Sequence, residues 1–145
     1  MKHDEKQLAI TKAFIKEHRL AVLATVNADF LPEAAVVGFS IDEHLHLNFG
    51  TFRTSRKYQN LQKNPRVAFV IGWEKGKTVQ YEGVARELEG KERDEAIKEH
   101  LKSAPSAAKY VSDPDETYFD VKPIYIKYSD LSSDPWETFE FRFLD

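Results

Sequence analysis

Residues 45–73, LHLNFGTFRTSRKYQNLQKNPRVAFVIGW, change their hydrophobic period twice, and the two changes decide the fold. Leu45, Leu47 and Phe49 alternate with His44, His46, Asn48 and Gly50, which predicts a half-buried strand over His44–Thr51 after a turn at Asp42-Glu43. Between Thr54 and Pro65 the repeat becomes helical: Ser55 can cap a turn whose Tyr58 and Leu61 share a face, and Asn64-Pro65 stops it. Val67–Trp73 then runs apolar on both faces, as a central strand covered on both sides does, so it is expected to be deeply buried.

Working outward, Leu8, Thr11 and Ile15 recur at helical spacing, with Ile10 and Phe14 in the adjacent row and Lys6, Lys12, Lys16 and Glu17 outside. Asp4 to about His18 therefore reads as a helix. Leu20–Val26 and Ala34–Ile41, joined through Asn27-Ala28-Asp29 and Pro32, read as a hairpin. A turn at Glu74–Lys77 leads into a strand over Thr78–Leu88, ended by Glu89-Gly90. Lys91–Lys102 reads as a helix with Ala96, Ile97 and Leu101 inward, followed by a loop over Ser103–Thr117 and strands over Phe119–Tyr128 and Glu137–Phe143. About seven strands and three helices joined by short turns predict one domain, 1–145, mainly β with peripheral α. An antiparallel barrel is preferred to a doubly wound parallel sheet.

The chain has 145 residues with 21 Lys+Arg, 24 Asp+Glu and no cysteine. The net charge of -3 offers no global basic field for nucleic acid or anionic lipid, so no nucleic-acid partner is expected and any anion site is local. Without cysteine there is no disulfide framework and no thiolate chemistry. No segment approaches the roughly 18 apolar residues of a membrane span, and the expected setting is a soluble, unprocessed, cytoplasmic one with no membrane partner.

Phe49–Lys57 places a strand end, a small-residue corner at Gly50-Thr51, hydroxyls and three cations ahead of a helix start. Helix amino termini offer unpaired N–H groups and partial positive charge, Ser55 adds a hydroxyl, Arg56 can grip oxygens in bidentate fashion and Lys57 is a point charge. Such a set suits a phosphate monoester. It equally describes a capped helix with solvated cations, and the residues alone leave both open.

Thr51-(x3)-Ser55-Arg56-Lys57-(x2)-Asn60-Leu61-(x2)-Asn64-Pro65-Arg66-Val67, followed by a hairpin bearing Tyr81-Glu82-Gly83, resembles the pyridoxamine 5'-phosphate oxidase-like group of FMN-binding split barrels over nearly the whole chain. The resemblance implies a split β-barrel that works as a homodimer with the cofactor at the interface. It implies that Ser55, Arg56 and Lys57 hold the FMN phosphate and that Thr51, beside Gly50, lies by the ring and ribityl chain. Ala35 and Ser40 stand where the oxidases carry an Arg and a Lys, while Val36 and Val37 offer backbone contacts to the ring. Thr78 stands in place of a flavin-facing Gln, and Gln80, on the same strand face, substitutes for it. Asp134-Pro135-Trp136 and Arg142 keep only part of the oxidases' substrate-binding signature, which disfavours pyridoxamine phosphate as substrate.

Trp136 is read as core, with a wall of the cofactor site as the alternative. Phe119, Tyr125, Phe139, Phe141 and Phe143 supply an apolar pocket or a dimer seam. His44 and His46 have a spacing that can chelate a metal, but no matching carboxylates are seen; a solvated strand face and no metal are expected, with His3, His18 and His100 on separate helices. Asp130, Asp134, Glu137, Glu140 and Asp145 read as solvated surface. Three functions follow: an FMN-dependent oxidoreductase acting on a small molecule or taking electrons from a nicotinamide donor, a flavin- or haem-binding protein without turnover, and a cofactor-free interaction domain. A deazaflavin would satisfy the same phosphate grip.

Overall fold

A computed structural model of the chain describes residues 3–143, so Asp145 of the acidic run lies outside the described residues. The elements are α1 (Glu5–Lys16), β1 (Leu20–Val26), β2 (Pro32–Gly38), β3 (Ser40–Ile41), β4 (Leu47–Phe52), α2 (Arg56–Lys63), β5 (Arg66–Ile71) and β6 (Lys77–Glu87). Then follow α3 (Gly90–Ser103), a 3-10 turn (Pro105–Tyr110), β7 (Glu116–Asp130) and β8 (Glu137–Arg142). All strand pairings are antiparallel, in the order β2-β1-β5-β6-β7-β4-β3, with β8 added to β7.

Chain connectivity explains why this sheet curls. The two strands at opposite ends of the order, β2 and β3, are separated in sequence by Phe39 alone, so the sheet must bend until its ends approach. Phe39 is buried, and its N–H donates to Arg19 O at 3.0 Å. The result is the expected split barrel of antiparallel strands with a few helices. The expected strand Ala34–Ile41 is therefore two, broken where the chain passes from one end of the sheet to the other.

Inside lie Leu23, Phe39, Leu47, Phe49, Phe69, Ile71, Val79, Tyr81, Val121, Ile126 and Phe141, with Ile15 of α1 packed against them. Phe49 stacks on Phe119 at 5.3 Å, and the Tyr81 hydroxyl donates to Leu45 O at 2.7 Å, satisfying a buried polar group. Gly83 is explained by contact: a Cβ there would meet Lys122 O at 2.5 Å, beside the bulge that shifts the β6–β7 register between Glu82 and Gly83.

That bulge also breaks the alternation of buried residues along the expected strand Phe119–Tyr128. Val121 and Pro123 are buried, and beyond the extra residue the buried set is Ile126 and Tyr128. The burial expected on both faces of Val67–Trp73 fails because, among the described residues, one face of β5 is left uncovered. Val67, Phe69 and Ile71 are buried, but Val70 and Trp73 are exposed, so β5 is buried on one face only. Trp136, expected as core, is 67% exposed, and Ile10 of α1 also faces solvent. The expected loop Ser103–Thr117 contains the 3-10 turn, which Pro105 starts with its fixed φ, and its last two residues begin β7. No described helix is long and apolar enough to cross a membrane.

Candidate functional site

The turn between β4 and α2 is organised by hydroxyls. Ser55 is the N-cap of α2, with its Oγ accepting from Tyr58 N at 3.2 Å and lying 2.9 Å from Thr51 Oγ1. Thr117 of β7 donates its hydroxyl to Thr51 O, tying the turn to the sheet. The first helical turn, whose backbone N–H groups have no intrahelical acceptors, is thereby held against the barrel.

A cavity of about 420 Å³ opens beside this turn, within the size typical of cofactor sites. Val36, Val37, Gly50, Thr51, Ser55 and Lys57 line it, six of the ten residues singled out from the sequence. The pattern in β4 brings Gly50 and Thr51 there, and β2 adds Val36 and Val37 because the curled sheet carries it towards β4. Arg56 lines a smaller neighbouring cavity of about 200 Å³ with Glu33, Ala34 and Ala35, and Lys57 lines both. Gln80 lies instead on the open face of β6, in a shallow depression with Val22, Ala24, Ala68 and Val70. Thr78 and Trp136 line neither of the two cavities beside α2.

Arg56 is engaged: its Nη2 meets Glu33 Oε2 at 2.5 Å, although the guanidinium itself is largely exposed. Glu33 also accepts from Asn60 Nδ2 at 2.9 Å and from Asn27 Nδ2 at 3.1 Å, and Asn60 donates to Thr25 Oγ1 at 2.9 Å. Those amides and Arg56 hold the Glu33 carboxyl below its ordinary value.

Two buried titratable groups stand in the wall of the large cavity where the sequence placed neither. His100 of α3, expected only as one of several scattered histidines, is 3% exposed, with Nδ1 2.7 Å from Ser40 Oγ, and burial holds its imidazole below the usual value. Glu116 at the start of β7 is 6% exposed. Burial and then Asp113 push its carboxyl above 4.5, against the pull of Arg93, Lys57 and the Thr117 N–H. Both positions depend on α3 and β7 folding back over β4, which no local spacing announces.

His46 departs from the expected solvated face, since its Nδ1 lies 2.8 Å from Asp120 Oδ2 and Asp42 completes a cluster whose ligand atoms fall within 4.8 Å of one another. The carboxylates missing from the local sequence come from the preceding turn and from β7. His3 and His18 flank α1 rather than lying on it.

The donor set at the turn, a capped helix start with a half-buried lysine beside a cavity, fits a phosphorylated cofactor. Comparison with known proteins agrees with the fold. Residues 9–130 match the family described as pyridoxamine 5'-phosphate oxidase. No curated protein matches the chain. Among solved structures, a heme binding protein from Mycobacterium smegmatis superposes with a TM-score of 0.78 at 17% identity, over 90% of this chain and 55% of that one. This chain thus spans little more than half of that relative. General Stress Protein 26 from Bacillus anthracis gives 0.73 at 24% identity, over 97% and 100%. A pyridoxamine 5'-phosphate oxidase-related, FMN binding protein from Nostoc punctiforme gives 0.69 at 15%, over 97% and 91%.

Proposed function

The chain belongs to the pyridoxamine 5'-phosphate oxidase family, and from that premise we propose that it is an FMN-binding flavoprotein, a homodimeric, cytoplasmic oxidoreductase acting on a small molecule. The observation that carries this reading is the cavity beside α2, where Thr51, Ser55 and Lys57 share one wall with Val36 and Val37. The phosphate binds at the Ser55 cap and Lys57, and Arg56 joins by exchanging Glu33 for phosphate oxygens. The ring lies by Gly50, Thr51 and the backbone of Val36 and Val37. The bound flavin supplies the redox chemistry and the protein supplies grip, orientation and electrostatics.

Thr78, Gln80 and Trp136 belong to this site through the second copy. Val36 and Val70 are exposed apolar residues on strands flanking β1, and Gln80 sits beside them, so a surface that this chain leaves open is available to its twin. A second reading, a haem-binding protein without turnover, is favoured by the fold shared with the Mycobacterium smegmatis protein and by His100 in the cavity wall.

Fluorescence titration with FMN tests the assignment. Arg56→Ala with Lys57→Ala is expected to weaken FMN binding at least tenfold, since hydrogen bonds to charged groups contribute about 1.5–3 kcal/mol each, with the melting temperature little changed. Equal affinity in wild type and double variant would refute the phosphate assignment. Reduction of the bound flavin by a nicotinamide donor supports the oxidoreductase, while tight haemin binding without flavin uptake selects the second reading.

A further inference from the structure

Glu116 is a carboxylate that the chain buries and leaves short of donors. Its carbonyl oxygen accepts from Arg93 Nη2 at 3.1 Å, but among the described residues no side chain donates a hydrogen bond to the carboxyl group. Among the described residues, Arg53, Arg56 and Arg86 are committed elsewhere, to Glu87, Glu33 and Glu92. An ionised carboxylate offers about four acceptor positions, and buried polar groups are normally satisfied. Those left over in Glu116 belong to a residue lining the large cavity.

Gly50 fixes where the group lies. A Cβ at Gly50 would come within 2.7 Å of Glu116 Oε1 and 3.2 Å of Tyr118 Cε1, so the absent side chain is the space that the carboxylate occupies. Gly50 directly precedes Thr51 in the cavity wall, and the Thr51 hydroxyl contacts the Ser55 cap. The carboxylate is therefore placed beside the wall that leads to the helix start, rather than at the helix start itself.

We propose that Glu116 receives hydroxyl groups on the chain that joins a ligand's ring to its phosphate, making the cavity selective for a phosphorylated polyol. The inference rests on the flavin reading and deepens it. Hydroxyls donate to the open acceptor positions, and a plain alkyl chain offers nothing to them, so its entry leaves the buried carboxylate short of donors. Lys57 stays with the phosphate and balances the charge that Glu116 brings to the cavity.

The test compares FMN with a synthetic flavin whose ring bears a five-carbon alkyl phosphate lacking chain hydroxyls, using wild type, Glu116→Ala and Glu116→Gln. For wild type FMN binds the tighter of the two. Glu116→Ala weakens FMN binding about tenfold or more and leaves the alkyl phosphate flavin unchanged, as expected for hydrogen bonds to a charged group. Glu116→Gln, which keeps an acceptor of the same shape, recovers most of the loss. Loss of both ligands to the same degree in the two variants makes Glu116 merely structural and overturns the inference, as do equal FMN constants for all three proteins. Wild type that takes up neither flavin overturns the flavin reading and this inference with it, a result distinguishable from the others.

Discussion

Two carboxylates line the two cavities beside α2, and the chain treats them in opposite ways. Glu33 meets Asn27, Asn60 and Arg56, and these partners lower its pKa. Glu116 is buried where β7 pairs with β4, no side chain among the described residues donates to its carboxyl group, and burial raises its pKa. The Glu33 side is closed by groups of the chain itself and fastens α2 to β1 and β2. The Glu116 side is left with capacity for groups that the chain does not provide. Polar satisfaction thus separates scaffold from site more sharply than residue type, since the residue is glutamate in both places.

The largest effect that would break this contrast is on the scaffold side. Asn60, 7% exposed, bridges Thr25 Oγ1 and Glu33 Oε1, so Asn60→Ala is expected to cost about 2–3 kcal/mol of stability by leaving both acceptors without their donor. Chemical denaturation checks it, and a loss within a few tenths of a kcal/mol would mean that the network is not structural.

A smaller effect sharpens the contrast through pH. Because the folded-state pKa of Glu116 is raised, the folded protein holds a proton that the unfolded chain releases, and stability falls as pH rises from about 4.5 through the folded value. Glu33, lowered, has the opposite sign: its contribution is present above 4.5 and is lost as pH falls through its folded value. Melting temperatures followed across pH should show Glu116→Gln gaining on wild type as pH rises above the ordinary carboxylate range. A constant difference at all pH values would contradict the raised pKa.

Much of this arrangement is legible in the sequence because it is local. The Ser55 cap, the Tyr58 and Leu61 face and the Asn64-Pro65 stop lie at one helix, and Leu47 and Phe49 declare their strand face by alternation, whereas Leu45, expected in the same strand, is buried from the turn before it with a φ of 69°. The exposure of Val70 and Trp136 is not legible, since apolar character does not say which layer of which chain will cover a face. Glu116 is hidden for another reason. It follows a polar Pro- and Asp-containing stretch and reads as surface, and only its pairing opposite Phe52 in the β4–β7 ladder carries it to the cavity. His46 shows the same limit, as its partner Asp120 lies on a distant strand.

The central claim is that the cavity beside α2 anchors a flavin by its phosphate, at a site completed by a second chain. A native mass spectrum of the protein mixed with FMN reads both parts at once. The expected species contains two chains and two FMN molecules, and it loses its FMN when Arg56 and Lys57 are replaced by alanine; a single chain that stays at its own bare mass in excess FMN would contradict the account.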